Sequence, residues 1–515
     1  RLRCELAVLQ PYASYRGLHM TFLRKAIHCC LFTAAASTGS VSFSQYNGAV
    51  DPPEHLAAGY NVMTEEQSRE WLGILAGPVF EGRGTGQLGY VRAAHWVAGK
   101  VAEFGLEPKG EAGTFFQFLP VTRQTIDAAQ SEIVGTGDLK IPGSDFGLDR
   151  FINQAEIAGK LSFVKLVGNS PKVEDNLRDK IVICVTDEQN AGRASFMLAR
   201  QRPAAVLRVV ETTPSSAPQL RRPKSNPTGT TGTITKLAAQ KIAEASGVSV
   251  DWLNVSAEDS TSLNATESDL TLKLRIRDEP VAVPNVLAWI PGSDPELRHE
   301  YVVIGAHLDH LGNQGGIMYP GADDNGSGST AILNIAKAMS QNPIKPKRSV
   351  LFTWFAAEEV GLVGSAYYCD NPLLPFEDMV CMLNIDMVGR NEEKPQEPAS
   401  ENEDSLHLVG SKKGDLALHD AIEQANKHVN LAFEYDEEGV FGRSDQANYY
   451  RKGVSVAFLF GGFHPDYHQP SDKPERINYK KLVSAARLFY LAAHFAADHG
   501  RFVMPNEEKQ AEKTE

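Results

Sequence analysis

Cysteine is scarce in this chain: six in 515 residues, and Cys4, Cys29 and Cys30 lie before residue 46. No set of them has zinc-finger spacing, so any metal site must draw on histidine and carboxylate. Cys184 in "KIVICV" and Cys381 in "MVCMLNI" read as packed strand residues. The spacing permits a Cys369–Cys381 disulfide without requiring one. A basic excess is also missing. With 51 Lys and Arg against 64 Asp and Glu, the net charge is −13. That balance excludes the electrostatic footprint of a nucleic-acid-binding protein and suits a cation site. Long apolar runs are absent too, which argues against an integral membrane span.

What is present is an ordinary globular composition, long enough for two or three domains. Residues 1–45 read as a leader. From Met20, "MTFLRKAIHCCLFTAAASTGS" has a positive start, a short apolar stretch and small residues after it. This is the pattern of an export signal, so a secreted or periplasmic location is expected. Residues 46–123 read as helical and then extended. Residues 124–277 change character: short strand candidates such as "KLSFVKL" and "KIVICV" flank a Pro/Ser/Thr/Gly-rich stretch, "PSSAPQLRRPKSNPTGTTGT", expected to be a surface loop. Residues 278–503 alternate strand and helix, and 504–515 read as a disordered tail. Continuous apolar strands alternating with helices predict an α/β fold, a mostly parallel mixed sheet sandwiched by helices, interrupted by a smaller β-rich inserted domain.

In open α/β sheets, ligands bind beyond the carboxyl ends of the strands. His307 and Asp309 follow "EYVVIGA", Glu358 and Glu359 follow "SVLFTWFAA", and Asp386 follows "MVCMLNI". His464 and His468 follow "VSVAFLFGG", while Asp323 and Asp324 stand in "GADDNG" before a helix. Each alone has a plain explanation: a packed histidine, a turn, a helix cap or an acidic first turn. Their common position at strand ends points instead to a site that can hold metal. Neighbouring Glu358 and Glu359 can divide the work, one holding metal and the other moving a proton.

The motifs "GAHLDHLG", "GADDNGSG", "FAAEEVGLVGS", "NIDMVGR" and "GRSDQANY…YHQPSD", in this order, resemble the co-catalytic zinc aminopeptidases of metallopeptidase family twenty-eight. The resemblance runs from about Phe80 to Asp498, and the insertion looks like a protease-associated domain. It implies two zinc ions per chain, held by His307, Asp323 and Asp386 and by Asp323, Glu359 and His468, with Asp323 bridging. Glu358 matches the general base that activates a metal-bridging water. Asp309 would orient His307 through its other ring nitrogen, and Asp324 would shape the loop. Tyr467, Arg443 and Asp445 match positions near the substrate, while His310 and His464 are left outside the ligand set. The implied activity is removal of the N-terminal residue from peptides with a free N-terminus. A carboxypeptidase or dipeptidase on the same scaffold, a single-zinc glutaminyl cyclase and a receptor-like binding protein are the rivals. The oligomeric state stays open.

Overall fold

The computed structural model describes residues 46–502 and 504, apart from 169–175, 215, 217–218, 222–228, 257–260 and 437. The expected leader lies outside the described residues, as does nearly all of the expected disordered tail. Four strands run parallel and side by side: Ser349–Phe355, Tyr301–His307, Met379–Asp386 and Val456–Phe460. Pro284–Ile290 adds antiparallel at one flank and Ser405–Val409 at the other. Ala432–Glu434, Glu107–Pro108 and Phe116–Phe118 complete a nine-stranded mixed sheet.

Side chains alternate across a strand, and here both faces are apolar. Val302, Ile304, Val350, Phe352, Leu383 and Ile385 share one core with helices Leu88–Glu103, Gly328–Gln341 and Tyr479–Asp498. Val303, Leu351, Phe355 and Met382 face the other way, onto Tyr368, Cys369 and Tyr449 from helices Val363–Asp370 and Gln446–Arg451. Burial on both faces is why these strands read as unbroken apolar runs. Helix starts follow local chemistry: Thr64 accepts from the Gln67 amide and Asp415 from the Ala417 amide. Cys184, Cys369 and Cys381 are buried free thiols, so no Cys369–Cys381 disulfide forms.

Between the first helices and the main sheet, the chain builds a second, eight-stranded sheet from residues 132–273. Its order is Lys140–Pro142, Glu132–Gly135, Ser262–Lys273, Glu156–Leu166, Ile181–Thr186, Ala205–Val210, Thr230–Thr235, Phe146–Arg150. Ile133, Phe163, Ile183, Leu207 and Leu272 join Ile242 of helix Lys236–Ala245 in a core of its own. The chain enters and leaves through Thr122–Ile126 and Ile276–Pro280, which pair antiparallel. The Pro/Ser/Thr/Gly-rich stretch expected to be a loop is partly strand. Gln219–Arg221 pairs with Thr122–Ile126, and Thr230–Thr235 runs parallel to Ala205–Val210. Among the described residues no helix is long and apolar enough to cross a membrane.

Candidate active site

The carboxyl ends of the parallel strands converge on one cluster of nitrogen and oxygen donors. His307 closes its strand and is buried. Its Nδ1 lies 3.0 Å from the Asp309 carbonyl oxygen. That contact places the ring proton on Nδ1 and leaves the Nε2 lone pair facing inward. Nε2 then meets Asp386 Oδ1 at 3.2 Å and Asp324 Oδ1 at 3.3 Å. Three electron-rich atoms facing one another need a cation or a further proton between them. Asp309 therefore orients His307 through its backbone carbonyl rather than its side chain. The Asp309 carboxylate instead accepts from the Thr85 hydroxyl at 2.6 Å and from the Glu358 amide at 3.0 Å.

A second group lies alongside. His468 Nε2 is 3.0 Å from Asp324 Oδ2 and 3.2 Å from Glu359 Oε2. It lines up with neither as a hydrogen bond. His310 Nδ1 meets Glu359 Oε1 at 2.6 Å and lies 3.7 Å from Asp324 Oδ2. Donor atoms of His310, Asp324, Glu359 and His468 all fall within 4.8 Å of one another, as do those of His307, Asp324 and Asp386. Asp324 is common to both groups, with one oxygen turned to each.

This corrects the expected bridge by one residue. Asp323 turns away: its Oδ1 accepts from the Gly389 amide at 2.7 Å, and its Oδ2 lies 3.2 Å from His464 Nε2. The turn Ala322–Ser327 decides which acid points inward. It departs from helical geometry at Asp324 and Asn325, joined by a cis peptide bond. Asp472 accepts the backbone amides of both Asp323 and Asp324, while Arg83 donates to the Gly321 and Pro320 carbonyls at 2.7 and 2.9 Å. The same guanidinium donates to the Leu308 carbonyl at 2.8 Å, next to His307. Arg83 is fully buried and links the two loops that carry His307, His310 and Asp324. Sequence reasoning missed Arg83, Thr85 and Asp472, and set His310 aside. The signals available were the second histidine of "GAHLDHLG", the acid ending "QPSD" and the Gly-flanked Arg of "GRGTG".

Charge follows from burial and neighbours. Burial pushes the Glu358 carboxyl well above the usual carboxylate range; His307 opposes this, while Asp386, Asp445 and Glu359 add to it. Burial and Asp324 push Glu359 the same way, yet the His310 hydrogen bond and the neighbouring His468 imidazole hold it below its ordinary value. The two adjacent acids are thus unequal. Ser444 donates to Asp386 Oδ2 at 2.8 Å and accepts from the Asn384 amide nitrogen at 2.9 Å, which fixes the Asp386 carboxylate.

Beside the donors a cleft is lined by Met387, Val440, Phe458, Phe460 and Phe463, with Arg443 and Tyr467 on its wall. The Arg443 guanidinium lies 5.0 Å over the Phe463 ring and donates to the Tyr467 hydroxyl at 3.3 Å. Tyr467 stacks on His468 with centroids 3.9 Å apart. Asp445 is fully buried at the start of Gln446–Arg451 and does not line the cleft. Its carboxyl is pushed up to about 7, chiefly by burial.

A mixed sheet whose four parallel central strands gather histidines and carboxylates at their ends, with an acid of raised proton affinity among them, fits a metal-dependent α/β hydrolytic site. Residues 285–493 match the model of peptidase family M28. It is 32% identical over 179 residues to leupeptin-inactivating enzyme 1 of Streptomyces exfoliatus, covering 35% of this chain and 36% of that protein. It is 31% identical over 214 residues to a "probable leucine aminopeptidase" of Arthroderma otae, covering 40% of this chain and 55% of that protein. The chain thus matches about half or less of these relatives' length. Its fold resembles that of BSAP, a zinc aminopeptidase from Bacillus subtilis, with a TM-score of 0.52 and 17% identity over 84% of this chain and 94% of that one.

Proposed function

We propose that this chain is a zinc-dependent aminopeptidase that removes the N-terminal residue from peptides. The observation that carries this reading is Asp324, which turns one oxygen to each of two His/carboxylate groups while Glu358 stands beside them. The donors fit zinc, which takes imidazole nitrogen and carboxylate oxygen. His307, Asp324 and Asp386 would hold one ion. Asp324, Glu359 and His468, with His310 beside them, would hold a second. Bound zinc supplies Lewis acidity toward a carbonyl oxygen and lowers the pKa of water.

The remaining work falls to the chain's own residues. Glu358 Oε2, 4.0 Å from His307 Nε2, takes the proton of the attacking water and returns it to the leaving amine. Burial among other acids gives this carboxylate the raised proton affinity that both transfers need. The apolar cleft takes a bulky aliphatic or aromatic side chain. That choice accords with the leucine aminopeptidase named among the relatives. Asp386, Glu358 and Glu359 surround the place where a free α-amine would rest. Tyr467, on the cleft wall, would donate to the substrate carbonyl. Arg390, a possible partner for a C-terminal carboxylate, is engaged with Asp466 at 2.9 Å. Arg443 is thus the only cation on the cleft wall among the described residues, which disfavours the carboxypeptidase reading. The inserted sheet is read as a protease-associated domain, and the chain as exported.

The test is hydrolysis of an aminoacyl-anilide panel by the zinc-loaded chain, with N-acetylated controls. Leu and Phe anilides should be cleaved fastest, and acetylation should abolish cleavage. Turnover of the acetylated substrates would overturn the aminopeptidase reading.

A further inference from the structure

Away from the cleft, the far flank of the main sheet holds a second gathering of donors. His407 lies in strand Ser405–Val409 and is paired in register with Glu434 of the parallel strand Ala432–Glu434. Parallel neighbours in register project from the same face at the same level. Glu392, six residues beyond Asp386, reaches the same place. Glu392 and His407 are each only 1% exposed. A Cβ at Gly462 would come within 2.5 Å of the Glu392 side chain, so the glycine leaves the room this carboxylate occupies.

The cluster is rich in acceptors. His407 Nε2 lies 3.2 Å from Glu392 Oε2, and His407 Nδ1 is 3.8 Å from Glu434 Oε2 and 3.0 Å from Asp436 Oδ1. Lys394 Nζ reaches Glu392 Oε2 at 2.9 Å. The buried Lys481 ammonium donates to the Asn402 carbonyl instead. Two buried atoms lack a hydrogen-bond partner: Glu392 Oε1 and His407 Nδ1. Unsatisfied polar atoms at this depth are costly. One donor atom each from Glu392, His407 and Glu434 falls within 4.8 Å of the others.

We propose that Glu392, His407 and Glu434 hold a divalent transition-metal ion, separate from the donors around Asp324. An imidazole nitrogen with two carboxylates favours a zinc-like ion over calcium, which takes oxygen ligands alone. Lys394 caps one oxygen of Glu392 and leaves the other for the metal. The bound ion would fasten the segment after Asp386 to the strands Ser405–Val409 and Ala432–Glu434. It would act on the cleft indirectly, since the Glu393 amide donates to the Phe463 carbonyl at 3.0 Å. Its role is therefore structural.

The full chain, stripped with a chelator and reloaded with zinc alone, provides the test. Metal is counted per chain by plasma mass spectrometry, and thermal unfolding is followed with and without zinc. His407→Gln should bind one zinc fewer than the unaltered chain, and Asp324→Asn should keep that ion while losing zinc from its own site. Cobalt-loaded unaltered chain should show a d–d absorption component that His407→Gln lacks. If His407→Gln does not fold, Glu434→Gln, whose side chain is 27% exposed, replaces it in the same measurements. Equal zinc content in the variant and the unaltered chain, with equal zinc-induced shifts in Tm, would mean that a proton alone closes the cluster, and would overturn the proposal. Failure of the aminopeptidase reading would leave this count untouched.

Discussion

The chain builds two sheets with parallel strands at their centres, and among the described residues only the main sheet carries donor clusters. In the inserted sheet Glu156–Leu166, Ile181–Thr186, Ala205–Val210 and Thr230–Thr235 run parallel, much as the four central strands of the main sheet do. Their carboxyl ends serve local structure. Asp187 accepts amides from Gly168 and Asn190, Thr235 caps Lys236–Ala245, and Glu211 pairs with Lys236. In the main sheet the corresponding ends deliver His307, Glu358 and Asp386 to one point. Parallel topology thus offers a ledge in both bodies. What differs is the supply of buried acids and imidazoles, and of groups such as Arg83 and Asp472 that hold the loops still.

Breaking the main sheet's ledge should cost most. Asp324→Asn removes the carboxylate shared by both donor groups, so activity should fall by more than about 10⁴-fold with loss of bound zinc, checked by anilide hydrolysis and metal content. Glu358→Gln should lower kcat by about 10²–10⁴-fold with zinc content unchanged. A variant that kept full turnover would remove Glu358 from the reaction. Asp323→Asn separates the two neighbouring acids. It disturbs the Gly389 and His464 contacts, and a loss of activity about tenfold or less is expected, on the scale of one weakened hydrogen bond; a loss equal to that of Asp324→Asn would restore Asp323 as the bridge.

Stability should also separate the two bodies by pH. Burial raises Asp309 and Asp472 to about 6 and Asp445 to about 7. For an acid with a raised folded-state pKa, the folded chain binds more protons than the unfolded chain between the two values. Stability then falls as pH rises through that window. In chelator-treated protein the main sheet should lose stability between about pH 4 and 7, by on the order of 1 kcal/mol or more per group. Hydrogen exchange resolved by segment should show that slope reduced by Asp445→Asn, and less of it in the inserted sheet. The smallest effect is expected from Thr235→Ala, which removes a helix cap from the inserted body. It should cost about 1 kcal/mol in urea unfolding, without altering the chemistry at Glu358.

Much of the main sheet was legible because strands buried on both faces announce themselves as apolar runs, and His307, Glu358, Glu359 and Asp386 sit at or just past their carboxyl ends. His468 was legible from its motif. The choice between Asp323 and Asp324 was not. Adjacent side chains point in different directions, and a turn held by Asp472 and Arg83 from distant segments selects between them. The roles of Arg83 and Asp309 were hidden for the same reason: their partners are backbone carbonyls and amides that carry no signature in composition. Gln219–Arg221 was read as loop because its pairing partner lies about a hundred residues upstream. In the inserted sheet, strand candidates could be found but not their order, since pairing across long separations leaves no local periodicity.

The paired strands Thr122–Ile126 and Ile276–Pro280 place Ile126 directly opposite Ile276. The detour of residues 127–275 therefore begins and ends one ladder rung apart, about 5 Å between Cα atoms. A two-residue hairpin turn could span that gap. The closure entropy of so long a detour grows only logarithmically with its length, and its own core offsets the ordering of its chain. Such an arrangement gives the inserted body the attachment of a graft: shortening it to a single hairpin is expected to leave the main sheet with the register that sets its donors.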